Sequence, residues 1–231
     1  MRRLLAILLL ASLAMAAAKP RVITFGRWLP VKWMTGAQEQ TAIPLKVRTL
    51  MVNGEAKEFT LGEAHDVTDR MFVVQSASRL NDALPGDDLG DKKDTSSRWS
   101  WRPGGWVMVD RTSAHITRLN LPQFDAYSSG ASWYRDYVAY CGISDNGRHL
   151  YAMVVQLGRK KPLLKKTLGA PRFPDEPYSE CEAPQWQKQP VRVTFQPKGG
   201  EKTTYSIRSL IVEVAPDNAP ADDDSAETQQ P

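Results

Sequence analysis

Two runs rich in β-branched and aromatic residues, 137–143 and 150–155, flank Ser144-Asp145-Asn146-Gly147. Asn-Gly supplies the positive φ of a tight primed turn, so residues 131–157 read as a β-hairpin. Neither run alternates cleanly between apolar and polar residues. A strand with one solvated face would, so both faces of this hairpin are predicted to be covered and the pair to sit centrally in its sheet.

Around that pair the chain is a succession of short strands with turn signals between them. Residues 21–28 form one, and 31–34 follow a Leu29-Pro30 break. Residues 45–52 and 55–61 are joined by Asn53-Gly54, the second strong hairpin signal. Residues 71–79 are followed by 99–102 and 106–110 on either side of Pro103-Gly104-Gly105, then by 115–119. Beyond the central hairpin come 162–168, 191–196 and 203–214, the last after Lys198-Gly199-Gly200. Residues 81–97 are polar and acidic, with Asp87, Asp88, Asp91 and Asp94. Their spacing fits no EF-hand, so they read as a solvated insertion and not as a calcium site. Residues 169–190 carry prolines at 171, 174, 177, 184 and 190 and read as a loop. No stretch beyond residue 18 sustains a 3.6-residue apolar period. The expected fold is therefore all-β, with antiparallel sheets in a single domain over residues 19–214.

Residues 1–18 read as a cleaved export signal. Arg2 and Arg3 provide the positive start, residues 4–15 the apolar stretch, and Ala14-Met15-Ala16 and Ala16-Ala17-Ala18 two small-x-small cleavage sites. The apolar stretch falls short of the roughly 20 residues that a spanning helix needs. A periplasmic or extracellular protein, with no transmembrane segment after cleavage, is the expectation. Of the net charge of +4, Arg2 and Arg3 carry +2 and residues 215–231 carry −5, which leaves +7 on residues 19–214. Residues 215–231, rich in Pro, Ala, Asp and Gln, are expected to be disordered and to serve solubility. The moderately basic body suits anionic envelope polymers, although such a charge is also that of an ordinary solvated surface. Cys141 and Cys181 are the only cysteines. In an oxidising compartment an even pair is read first as a disulfide, the alternative being two unpaired thiols with Cys141 a small buried hydrophobe. No second Cys or His stands at ligand spacing near either, so no metal is expected.

From Gly105 onward the order Trp-Val-Met-Val-Asp-Arg-Thr, Ile-Thr-Arg-Leu, Tyr-Val-Ala-Tyr, Ser-Asp-Asn-Gly-Arg, Leu-Tyr-Ala-Met-Val, Pro-Leu-Leu-Lys-Lys resembles strand successions in blades of exported β-propellers of the Tol-associated kind. The resemblance covers residues 105–168 and implies blade-like sheets. No second copy recurs at the period of about 40–50 residues that a propeller shows. The chain as a whole also resembles uncharacterised exported bacterial proteins, which implies no activity. A two-sheet β-sandwich, or a few blade-like sheets without closure, are the architectures expected.

No Gly-x-Ser-x-Gly elbow, His-Glu-x-x-His, phosphate loop or dinucleotide fingerprint is present, and no cofactor is expected. His65, His115 and His149 are scattered, with His65-Asp66 and His149 placed on loops. Asp125 with Asp136, or Glu180 with Glu182, would serve a glycosidase only if they faced one cleft. Arg135-Asp136 reads more simply as a turn element or local salt bridge. Two surfaces remain. Seven tryptophans suit either an inter-sheet core or sugar stacking. Trp99 and Trp101 share one face of a strand, while Trp133, Tyr134 and Trp186 lie at loop margins as the candidates for exposure. Arg159, Lys160, Lys161, Lys165 and Lys166 place five cations within eight residues. They suit an anionic polymer held by counterion release, but an edge strand blunted with lysine, which Pro162 also fits, is the preferred reading. Taken together, these features point to a binding or structural role in the envelope without catalysis, toward a glycan, an anionic polymer or another envelope protein and not toward nucleic acid. The alternative is a carbohydrate-binding module or glycan-active hydrolase that uses exposed tryptophans.

Overall fold

The computed structural model describes residues 21–31, 46–81, 99–171, 181–208 and 211–214. Residues 1–20, read as carrying an export signal, the expected strand 31–34 beyond Val31, the acidic stretch 82–97, most of the proline-rich stretch and residues 215–231 lie outside the described residues. Those described contain strands and no helix, arranged in three antiparallel sheets, none of them closed.

The first sheet has seven strands: β1 (Ile23–Phe25), β2 (Leu29–Pro30), β3 (Lys46–Val52), β4 (Glu55–Thr68), β5 (Met71–Asn81), β6 (Trp99–Asp110) and β7 (Ile116–Arg118). The second is the meander β8 (Ala131–Tyr134), β9 (Tyr137–Ile143), β10 (Leu150–Gln156) and β11 (Leu164–Gly169). The third is the meander β12 (Gln185–Lys188), β13 (Val191–Phe195), β14 (Thr203–Arg208) and β15 (Ile211–Val214).

Asn53 (φ 53°) and Gly54 (φ 82°) make the left-handed turn between β3 and β4, as the Asn-Gly pair demands. The other predicted Asn-Gly turn is wider. Ile143 pairs with Leu150, so six residues intervene and only Gly147 takes positive φ. Ser144 Oγ and Asn146 Oδ1 accept the N–H of Arg148, and Ser144 Oγ also accepts that of His149. Those side chains add to the backbone bonds Ser144 N–H to the His149 carbonyl and Gly147 N–H to the Ser144 carbonyl.

Four expected breaks are absent, and Leu29-Pro30 is itself the short strand β2, paired with β3. β4 runs through Gly62 (φ 58°) to Thr68, the register slipping between Leu61 and His65, so His65 and Asp66 lie in a strand and not on a loop. β6 runs through Pro103-Gly104-Gly105, because a bulge in its register with β5 absorbs an extra residue there. Gln75 Nε2 and Ser76 Oγ donate to the carbonyls of Gly104 and Gly105. β12 lies in the stretch read as a loop. Conversely, residues 203–214 are two hydrogen-bonded strands and not one. The short β8, unmarked in the sequence, completes the second sheet.

The central pair β9–β10 is inner in its sheet and covered on both faces, as its pattern predicts. Ala139, Cys141, Ala152, Val154 and Leu164 share one core with Val193, Phe195, Tyr205 and Ile207 of the third sheet. Val138, Tyr140, Met153 and Val155 form another, into which Trp106 and Leu119 pack from the side of the first sheet. The disulfide Cys141–Cys181 ties the inner strand β9 to the segment that bridges Pro197. The first sheet buries Leu50, Phe72, Val74, Val107 and Val109 on its remaining face.

Candidate functional site

The sequence nominated an aromatic group and a basic group, and the fold treats them differently. Successive residues of a strand point to opposite faces of the sheet. On β8, therefore, Trp133 and Tyr134 diverge. Trp133 meets Trp106 edge to face at 5.2 Å and stacks on His65 at 5.9 Å, in the seam with the first sheet. Tyr134 meets Trp186 at 5.6 Å on the other side, where Trp186 Nε1 donates to the Ser132 carbonyl at 3.1 Å. All of these rings are half-buried. Trp133 and Trp186 thus sit on opposite faces of the second sheet and each packs between sheets. Trp101, also half-buried, packs edge to face on Phe59 at 4.8 Å, and the Trp99 side chain lies outside the described residues. No described tryptophan stands among the exposed large apolar side chains, which are Val22, Leu29 and Phe59.

The basic group is fully presented to solvent. Arg159, Lys160 and Lys161 occupy the β10–β11 connection, Lys165 and Lys166 lie on β11, and all five are exposed. β11 is the edge strand of its sheet. Lys165 pairs with Met153 and Lys166 with Ala152, so the two ammonium groups flank the strand on either face. Lys165 Nζ stands 4.5 Å over the Tyr151 ring, whose neighbour at 6.2 Å is the His149 ring. Ion pairs between described residues include Arg48–Glu63, Lys57–Glu55 and Arg111–Asp66. None of these involves the strip from Arg159 to Lys166, whose five side chains are exposed.

An open groove of about 710 Å³ lies elsewhere, lined by Arg21, Lys57, Met71, Met108, Asp110 and His115 among others. Two of its charged groups are answered within the chain. Lys57 is paired with Glu55. Asp110 accepts the backbone N–H of Ser113 and Thr112, bonds that hold its carboxyl below the ordinary carboxylate range. Sequence reasoning did not find this groove, since its residues come from strands far apart in the chain.

The candidate catalytic groups are not gathered. His65 lies in β4, His115 in the groove and His149 in the β9–β10 loop. Among the described residues no three of His, Cys, Asp and Glu are placed to hold a metal. Asp125 accepts the N–H of Tyr127 and Ser128 in a local turn, and Asp136 accepts from Gln156 Nε2. Glu180 lies outside the described residues, and Glu182 is exposed. Arg135-Asp136 is a turn element, with Arg135 over the Tyr134 ring. No described helix is long and apolar enough to cross a membrane. No protein-family model matches this chain, and no curated protein is detectably similar to it.

Proposed function

We propose that this is an exported protein of the cell envelope that binds an anionic partner through the strip Arg159, Lys160, Lys161, Lys165 and Lys166. The observation that carries the reading is the contrast between the two nominated groups. Trp133 and Trp186 are engaged between sheets, whereas five cations stand exposed on β11 and the connection that leads into it, with no ion pair to an acidic side chain among the described residues. A row of ammonium and guanidinium groups holds a polyanion by releasing its counterions. The same lysines blunt the edge of β11 against strand addition, and the two roles are compatible. The disulfide is a feature more typical of exported proteins. The stack of four-stranded meanders supports a few blade-like sheets without closure, and β8–β11 falls inside the stretch that resembles Tol-associated propeller blades.

The test is retention of residues 19–231 on anionic and neutral polysaccharide resins at low and high salt. The proposal expects retention on the anionic resin alone, lost as salt rises, and abolished by the quadruple change K160E/K161E/K165E/K166E. Retention on the neutral resin that resists salt, or is lost with Trp186→Ala, would instead favour a carbohydrate-binding module.

A further inference from the structure

Ile23 and Phe25 of β1 share a core with Ile116 of β7, although β1 and β7 are opposite edges of the first sheet. The sheet therefore curls until its two edges approach. No pairing joins those edges among the described residues. The open groove of about 710 Å³ takes Arg21 and Val52 from the β1 side and His115, Ile116 and Thr117 from the β7 side. Ile116 and Thr117, as neighbours in a strand, point to opposite faces. Both line the groove, so it follows the edge of β7 itself.

Asp110 N–H donates to the His115 carbonyl and Leu119 N–H to the Trp106 carbonyl, and between them Thr117 pairs with Met108. His115, Thr117 and Leu119 thus turn their backbone groups toward β6. The alternation of an antiparallel ladder turns the N–H and C=O of Ile116 and Arg118 the other way, off the edge of the sheet. β11 is an edge guarded by lysines, whereas β7 begins Ile116-Thr117, both residues that favour strand pairing. Val52, Met71, Met108 and Ile116 give the groove apolar lining. Lys57 and Asp110 are engaged within the chain. Arg21, His115 and Arg118 make no side-chain hydrogen bond or ion pair among the described residues. A complementary occupant offers an extended backbone, apolar side chains and negative charge. We infer that the edge of β7 accepts an acidic, extended peptide segment of a partner protein as an added strand, with apolar and acidic residues alternating. One set of side chains then packs on the apolar lining, and the carboxylates between them stay hydrated beside the cations. This surface is separate from the strip Arg159 to Lys166.

The experiment uses residues 19–231 and a fluorescent, amidated hexapeptide Glu-Val-Glu-Val-Glu-Val as the probe, with amide hydrogen exchange followed residue by residue. Arg118 is exposed, so Arg118→Pro removes an outward N–H without touching the ladder to β6, and Arg118→Ala keeps that N–H. The expected result is saturable binding that slows exchange at the Ile116 and Arg118 amides. Binding should be about tenfold weaker for Arg118→Pro than for Arg118→Ala, and unchanged by K160E/K161E/K165E/K166E. On the unaltered protein, one of two probes N-methylated either on the valines or on the glutamates should likewise bind about tenfold more weakly. Absence of probe binding, or binding with unaltered exchange at Ile116 and Arg118, overturns the inference. Binding lost with the quadruple change assigns the probe to the cationic strip and also overturns it. Dodecanoate binding at the groove without probe binding would assign the groove to an amphipathic anion and overturn it as well.

Discussion

His65 Nε2 lies 2.8 Å from the main-chain oxygen of Arg135, and its ring stacks on Trp133. A carbonyl only accepts, so Nε2 carries the hydrogen, and a side chain of the first sheet holds the turn of the second. Arg135 sits at φ 52°, a left-handed conformation that a non-glycine residue keeps only when its surroundings impose it.

His65→Ala is therefore expected to lower stability by about 1–2 kcal/mol, through the lost bond and ring contact. Urea unfolding with an unchanged m-value would register this as a shifted midpoint. A loss below a few tenths would show that the β8–β9 hairpin holds Arg135 unaided.

The disulfide spans 40 residues and connects two sheets that already share a core. The chain-entropy model assigns such a crosslink about 4 kcal/mol. Reduction, or the pair Cys141→Ala with Cys181→Ala, should lower the thermal midpoint accordingly. A shift of only a degree or two would mean that the shared core alone holds the layers together.

Gly142 lies in the fully covered strand β9, where an added Cβ would meet Met153 Cγ at 2.9 Å and the Gln123 carbonyl at 3.2 Å. That carbonyl accepts the Ile143 N–H, so it is not free to retreat. Gly142→Ala is expected to cost about 1–3 kcal/mol by overpacking, measured by denaturant titration. Gly147→Ala, with open space around its Cβ but φ 68°, should cost less, about 1 kcal/mol of backbone strain.

Tyr140 is fully buried and donates to the Pro122 carbonyl at 2.7 Å. Burial pushes its phenol well above the ordinary tyrosine range. A group whose folded pKa is raised lends stability below its unfolded pKa, and that stability is lost as pH rises beyond it. Stability should fall above about pH 10, and Tyr140→Phe should flatten the alkaline loss while costing about 1 kcal/mol at neutral pH. An unchanged alkaline slope would refute this account. Tyr205 is raised in the same direction by the same cause and would supply part of any slope that remains.

Legibility varied with how local each cause was. The β3–β4 turn was readable because Asn53 and Gly54 answer a requirement of their own backbone. The covered pair β9–β10 was readable because a run without alternation means two apolar faces. Pro103-Gly104-Gly105 signals a break that the structure lacks, and the strand expected over 55–61 runs on to Thr68. A bulge is set by the partner strand, and nothing in residues 103–105 shows that Gln75 and Ser76 will hold their carbonyls. The exposure of Trp133 and Trp186 was misjudged for a similar reason, since a loop margin in sequence becomes a seam once two sheets press upon it.

Composition and local pattern alone thus determined an antiparallel all-β chain, its inner hairpin, the pairing of its two cysteines, and the separation of a basic body from an acidic segment. These depend on backbone preference and on counts, which a sequence carries explicitly. Only the tertiary structure decided that Trp133 and Trp186 serve opposite faces and that the lysines of β11 line a sheet edge. Each depends on which strands become neighbours, and the burial that selects neighbours is a property of the assembled layers and not of any single segment.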